Sequence, residues 1–390
     1  MVSVCSVESS VAERRLLPRR PSSPRNDRKD RTGAVHLCGN LAILLFHPLR
    51  NKYPHMPQKP LLAVTIGDPS GIGPEVVIKA LRNRLMYEIM RPVLVGTVNV
   101  VQKALDTVGS GDSVIGIDSA SEAKGEPGTI EVIAPGDWED TEFPVGKHDA
   151  GSGSASHLWV EEAAKMCMAG DIEGMVTAPV NKESWNMGGS KDTGHMEVFK
   201  RLSGSSYVAT MLVSGPMRCM HLSTHKSLGE AVKYVTTENI MTATRLTHKM
   251  FNEWGFEKPR IAISALNPHA SDNGLIGSEE ADEIAPAVKQ AIAEGIDASG
   301  PHPADTVFNS ASAGKYDVVV VMYHDQGHIP IKVYGVEESV TVNLGLPFLR
   351  TSVDHGTAFD IAGTGIASEI SMIEALKLGA SLASRKGLST

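Results

Sequence analysis

Residues 61–85 read LLAVTIGDPSGIGPEVVIKALRNRL. The apolar run from Leu61 to Ile66 has the length and composition of a buried strand. The Gly- and Pro-rich GDPSGIG interrupts it, and Pro74 stands where a first helical turn tolerates proline. VVIKALRNRL then continues with a helical period. The unit is therefore strand, tight turn, helix. It recurs as PVLVG (92–96) followed by VVQKALDTV (100–108). Further apolar runs are GMVTAP (174–179), YVATMLVS (207–214), MRCMHLST (217–224), RIAISALNP (260–268) and YDVVVVMYHD (316–325). Helical patterns cover Asn239–Trp254, Glu279–Glu294 and Ser368–Ser384. Short β-rich runs alternating with helices predict an α/β protein with a largely parallel sheet.

Composition narrows the function. The chain has 390 residues, 42% hydrophobic and 21% charged, an ordinary globular composition long enough for about two domains sharing a cleft. No apolar run approaches the roughly 20 residues that span a bilayer. Residues 1–56 hold 10 Lys/Arg against 4 Asp/Glu, leaving 27 against 41 in residues 57–390, a net of −14. So acidic a body argues against nucleic acid as a partner. The cysteines Cys5, Cys38, Cys167 and Cys219 form no CxxC pair, so neither a disulfide framework nor a zinc–thiolate site is expected, and a cytoplasmic location is the simplest reading.

Residues 1–56 read apart from the rest. ERRLLPRRPSSPRNDRKDR (13–31) is rich in Arg, Ser and Pro and lacks apolar periodicity, so it is expected to be disordered. It reads either as a transit-type leader or as sequence ahead of a start at Met56. The catalytic body is expected over residues 57–390.

The strongest chemical signal is threefold. MRCMHLSTH, RIAISALNPH and YDVVVVMYHD each place a histidine just beyond an apolar strand: His225, His269 and His324. Ligands of open α/β sheets sit beyond strand carboxyl ends. Three imidazoles there suit a divalent cation with positions left for substrate. Each alone is as readily a hydrogen-bonded structural histidine. GDPSGIGPE is either a phosphate-cradling turn or a plain strand-to-helix turn. Asn181 and Lys182 follow GMVTAP, His195 follows Gly194, and Lys332 and Arg350 flank apolar, Gly-containing segments read as turns. Each cation is either a surface charge or an anion ligand. DHGTAFDIAGTGIAS (354–368) suits a ligand-accepting loop in which Asp360 could accept from a ribose and favour NAD over NADP; a turn leading to the last helix is the alternative.

In order, GDPSGIGPE, TAPVNKE, TGHMEVF, STHKSL, LNPHASDNGLIGSEE, YHDQGHIPIK and GLPFLRTSVDHGTAFDIAG resemble the 4-hydroxythreonine-4-phosphate dehydrogenase family of pyridoxine (vitamin B6) biosynthesis, over about residues 60–386. The resemblance implies a two-domain α/β/α fold like that of isocitrate and isopropylmalate dehydrogenases, with the active site in the interdomain cleft. It implies a homodimer with active sites shared between subunits, and one divalent metal ion per site (Zn, Co or Mg) on His225, His269 and His324, drawn from both subunits. Substrate contacts fall on His195, Met196, Lys332, Thr341 and Arg350. NAD contacts fall on His355, Gly356, Thr357 and Asp360. Lys332 and Asp325 are the candidate catalytic groups, Asp325 by its position beside His324.

Two positions depart from the family pattern: Met196 replaces a threonine and Thr341 an asparagine, with Asn343 two residues on. YHDQGHIPIK, with His328, is more similar to the branch acting on D-threonate or D-erythronate 4-phosphate. The expected reaction is NAD-linked oxidation of a small 4-phosphorylated hydroxy acid, with decarboxylation. The alternatives are oxidation of a non-phosphorylated cyclic diol dicarboxylate, a metal-dependent hydrolase lacking HExxH, and a non-enzymatic homologue that binds metal or ligand.

Overall fold

The structure, a computed structural model, describes residues 59–387; the extension read over residues 1–56 lies outside them. Twelve strands occur among the described residues, all in one sheet. They are β1 (Leu61–Thr65), β2 (Arg91–Val95), β3 (Ser113–Gly116), β4 (Thr129–Ile133), β5 (Gly174–Thr177), β6 (Ala209–Ser214), β7 (Met217–His221), β8 (Ile261–Ser264), β9 (Ala298–His302), β10 (Val318–Val321), β11 (Val340–Leu344) and β12 (Leu349–Val353). Their order across the sheet is β3-β4-β2-β1-β5-β12-β11-β6-β7-β10-β8-β9. Only β12–β11, β11–β6 and β6–β7 pair antiparallel, so the sheet is largely parallel, as the alternating pattern predicts.

The central strands are apolar throughout because helices cover both faces. All four residues of VVVV in β10 are buried, and so are all five of β1. The larger core cluster includes the helices Gly73–Leu81, Ala150–Ala169 and Ile370–Ala383. A second cluster, with Leu212, Cys219, Val307, Tyr316, Val319 and Ile331, fills the other face of β7, β10 and neighbouring strands. Cys167 and Cys219 are free and buried, and Cys5 and Cys38 lie outside the described residues. No helix among the described residues is long and apolar enough to cross a membrane.

One helix differs from its pattern. Glu279–Glu294 reads as continuous, but Glu280–Ile284 winds as a π turn before the α-helix Ala285–Ala293. Pro286 has no N–H to give the carbonyl of Asp282, so the ladder widens there.

The GDPSGIG turn is a brace. Asp68 N donates to Pro179 O, Ser70 N to Asp68 Oδ1, Gly71 N to Asp68 O, and Ile72 N to Thr357 O. These donors are spent within the protein, which favours the tight-turn reading over a phosphate cradle. Gly67 has φ +76°, and a Cβ there would collide with Pro179 O, so glycine is required on both counts.

Candidate active site

The polar centre of the molecule lies over one face of β5, β12 and β11. Side chains two apart along a strand share a face. Arg350 and Ser352 on β12, Thr341 and Asn343 on β11, and Thr177 on β5 therefore point the same way. The register agrees, with Ser352 opposite both Thr177 and Thr341. Val340, Val342 and Leu344 turn to the opposite, packed face.

Arg350 dominates this face. It is only 5% exposed, yet it has no carboxylate partner among the described residues. Its Nε and Nη2 donate to Thr177 Oγ1 (3.1 and 2.6 Å), and Nη1 donates to Asn343 Oδ1 (2.8 Å). Phe199 lies under the guanidinium at 5.6 Å. Burial pushes the Arg350 pKa down to about 9, so the group is still cationic at neutral pH. A buried cation with only neutral partners is costly unless an anion joins it. Arginine can only donate, so it fixes the Asn343 oxygen toward itself. The Asn343 Nδ2 is left buried without a partner.

An open pocket of about 330 Å³ borders this face, within the usual range for small-molecule sites. Its walls include Lys182, Thr193, His195, Met196, His225, Thr341, Arg350, Ser352, Asp354 and His355. The helix His195–Ser203 begins in this wall. Its N-cap, Gly194, supplies no side-chain cap, so the first backbone N–H groups are free to meet an anion. Met196 is the second residue of that helix. Its side chain lacks the hydroxyl expected from the family pattern, but its backbone N–H belongs to this set.

His195 is half-buried, with its Nε2 buried and unpartnered. Burial first, then the charges of Arg350 and Lys182, hold its pKa well below the ordinary histidine range. The folded state thus binds a neutral imidazole, and stability from this group is complete above about pH 6.5 and lost as pH falls below it. Asp68, raised to about 6 mainly by burial, acts in the opposite sense, losing its contribution as pH rises toward 6. A difference measurement isolates His195. Between pH 7 and 5.5, urea denaturation of His195→Gln should show about 1 kcal/mol less acid destabilisation than the parent chain. Equal losses would mean that His195 protonates without penalty.

The three strand-end histidines come from adjacent parallel strands, in the order β7, β10, β8. Only two approach one another. His225 and His324 have ring centroids 6.3 Å apart. His269 lies in a left-handed stretch (φ 51°), is exposed, and pairs with Asp272 at 3.2 Å. Two imidazoles on one ion with metal–nitrogen bonds near 2.1 Å have centroids roughly 4.6–6.5 Å apart. The His225–His324 separation falls near the wide end of that range, where the two nitrogens would stand almost opposite one another across an ion. His324 Nδ1 faces Asp325 Oδ1 at 2.6 Å. The carboxylate accepts that proton and leaves Nε2 as the free ligand atom. Asp325 therefore bonds the His324 ring.

Lys332 lies on the helix His324–Gly335, and Arg350 on a strand; both stretches read as turns in the sequence. Lys332 Nζ pairs with Asp354 at 3.2 Å, which brings it to the pocket's edge. His355 lines the pocket with Nε2 buried and unpartnered, and its Nδ1 faces Gly356 O at 3.0 Å. Gly356 and Asp360 are exposed, and Thr357 is buried against Gly71. The cofactor candidates thus run along a loop that leaves the pocket and lies on the brace after β1. One compact group of His, Asp and Glu ligand atoms is found among the described residues: His157, Glu161 and Asp192. Arg201 Nη2 already holds both of its carboxylates, at 2.5 and 2.6 Å, and His157 bonds Asp192 at 2.9 Å. That group is a satisfied ion network.

Thr177, Lys182, Asn343, Ser352 and Asp354 complete the site. Sequence reading named Lys182 and Asn343 without a settled role and did not single out the others. The signal was alternation: TVN and RTS each carry polar residues two apart on strands that no continuous apolar run marks.

Residues 88–379 match the family model of the pyridoxal phosphate biosynthetic protein PdxA. The chain is 42% identical over 328 residues to the D-threonate 4-phosphate dehydrogenase of Cupriavidus necator, covering 84% of this chain and 98% of that one. It is 39% identical over 329 residues to the 4-hydroxythreonine-4-phosphate dehydrogenase of Geobacter metallireducens, covering 84% and 97%. Among solved structures, the 4-hydroxythreonine-4-phosphate dehydrogenase of Klebsiella pneumoniae aligns with a TM-score of 0.77 at 37% identity, over 83% of this chain and 99% of that one.

Proposed function

Because the chain belongs to the family of the pyridoxal phosphate biosynthetic protein PdxA, we propose that it is a metal-dependent, NAD-linked dehydrogenase of a small 4-phosphorylated hydroxy acid: D-threonate or D-erythronate 4-phosphate, or 4-hydroxythreonine 4-phosphate. The dehydrogenase class is common to its relatives. The observation that carries the substrate reading is the buried Arg350 without an acidic partner. A phosphate or carboxylate seated on Arg350, the Asn343 amide and the start of helix His195–Ser203 would supply the missing charge. A wholly apolar ligand would not.

His225 and His324, with His269 from a second copy of the chain, would hold the metal. A divalent ion there supplies Lewis acidity that lowers the pKa of the alcohol to be oxidised. His355, Gly356, Thr357 and Asp360 would hold NAD, which would supply the hydride acceptor. The chain's own groups bind and orient. Arg350 and the helix start hold one anionic end of the substrate. Lys332, steadied by Asp354, stands at the pocket edge as the anchor or proton carrier for the other end. Neutral His195 offers Nε2 to a substrate hydroxyl. A carboxylate β to the new ketone leaves as CO2, its electron pair passing into the enol that is then protonated. The cleft is read as lying between two lobes of residues 57–390, in the cytoplasm.

The homodimer reading draws support from an apolar stripe beside the metal residues. Ile329, Val333 (81% exposed) and Val336 form it along and just past the helix that carries His324, and Leu275, six residues after His269, is itself 87% exposed. Such a stripe is a liability for a monomer. Val333→Glu is expected to shift the protein from dimer to monomer in size-exclusion chromatography with light scattering and to remove most activity together. A monomeric variant with full turnover would sink the shared-site reading.

The decisive experiment is a screen of 4-phosphorylated C4 acids and a cyclic diol dicarboxylate, reading NADH formation with and without a chelator. Turnover only of the diol would overturn the phosphate assignment, and turnover indifferent to chelator the metal.

A further inference from the structure

The helix that carries His324 also carries a second imidazole one turn on. Residues four apart on a helix are neighbours on its surface. The His328 ring lies 3.5 Å from that of His324, nearly parallel at 12°. Its Nδ1 donates to the carbonyl oxygen of His324 at 2.9 Å. Behind it stands His221, 2% exposed, with ring centroids 4.6 Å apart. Gly327 lets the helix come this close to β7, since a Cβ there would collide with His221 Nε2. His328 is thus wedged between a buried imidazole and His324.

This stacking rules out one role for His328. A ligand lone pair lies in the plane of its ring. With two rings stacked, an ion in the plane of His324 stands off the plane of His328 by most of their separation. The two cannot ligate one ion together. What His328 can do is restrict the His324 ring. Asp325 holds that ring by its Nδ1 edge, and His328 holds it by its face. Groups that orient metal ligands in this way typically change affinity about 10- to 100-fold when removed.

We propose that His328 is a positioning residue, its stacked imidazole fixing the orientation of the His324 ring and so tightening divalent-cation binding at His324. The proposal rests on the reading of His324 as a metal ligand.

The test uses the full chain and cobalt(II) alone, following visible absorption and titration heat, so that no turnover is required. His328→Leu should raise the cobalt Kd about 10- to 100-fold and alter the absorption envelope. His328→Phe, which restores a flat stacking face without the Nδ1 hydrogen bond, should recover most of the affinity. His328→Gln, with no ring, should not. Circular dichroism selects folded variants, and the Phe–Gln contrast decides even if the Leu variant fails to fold. His324→Ala separates the two levels. If it abolishes cobalt binding while the His328 variants bind like the parent, the positioning role is wrong and the metal reading stands. If His324→Ala binds cobalt unchanged, both fall.

Discussion

Arg350→Met is expected to lower kcat/KM for the phosphorylated substrate by about 10²–10⁴-fold, while the ligand-free protein melts no lower than the parent chain. The two halves have one cause. The guanidinium is buried with neutral partners, so the empty site carries an uncompensated charge whose removal relieves desolvation. Thr177 Oγ1 keeps the bond it donates to Ser352 Oγ at 2.9 Å, while its lone pairs and the Asn343 oxygen lose the Arg350 donors, a cost smaller than that of the buried charge. The bound anion loses two charge-assisted hydrogen bonds, each worth roughly 1.5–3 kcal/mol, which sets the size of the kinetic effect. The loss should fall chiefly on KM and be far smaller for a dephosphorylated analogue. Arg350→Lys should recover only part, because a point charge cannot reach both Thr177 and Asn343 and still face the ligand. Equal losses with and without phosphate would show that Arg350 holds some other group. A large fall in melting temperature would show that the guanidinium is structural.

His225→Ala and His324→Ala should each lower metal content and turnover together, turnover by on the order of 10³-fold, since Lewis-acid assistance is worth several kcal/mol. His269→Ala should do the same despite its exposed position, because its proposed partners lie on another copy of the chain. Subunit mixing makes this quantitative. Inactive His225→Ala and His269→Ala proteins, unfolded together in equal amounts and refolded, would form mixed dimers. One site of each mixed dimer would carry both substitutions and the other neither. About a quarter of parental activity should return. If none returns although mixed dimers are detected, His225 and His269 of each site come from the same chain. A variant with full metal occupancy would remove its residue from the site.

Legibility in the sequence followed the physics of each feature. The strands β1, β2, β5, β6, β7, β8 and β10 announce themselves because they are buried on both faces or nearly so, which imposes continuous apolar runs. β3 and β9 lie at the sheet edges, where burial is incomplete and no such run is needed; β9, ASGPH, even carries glycine and proline. β11 and β12 were missed for the opposite reason. One of their faces belongs to the pocket, so TVNL and LRTS break the apolar run with threonine, asparagine, arginine and serine.

By itself the sequence determined the α/β class, the strand-end histidines and the ordered motifs that mark the family, because these are local patterns or strings of residues in a row. Tertiary structure alone decided that Arg350 is a buried cation without an acid, that Met196 brings a backbone donor to a helix start, and that His328 lies face to face with His324. Charge pairing, burial and ring orientation depend on which distant segments meet, and spacing along a chain carries no direct record of that.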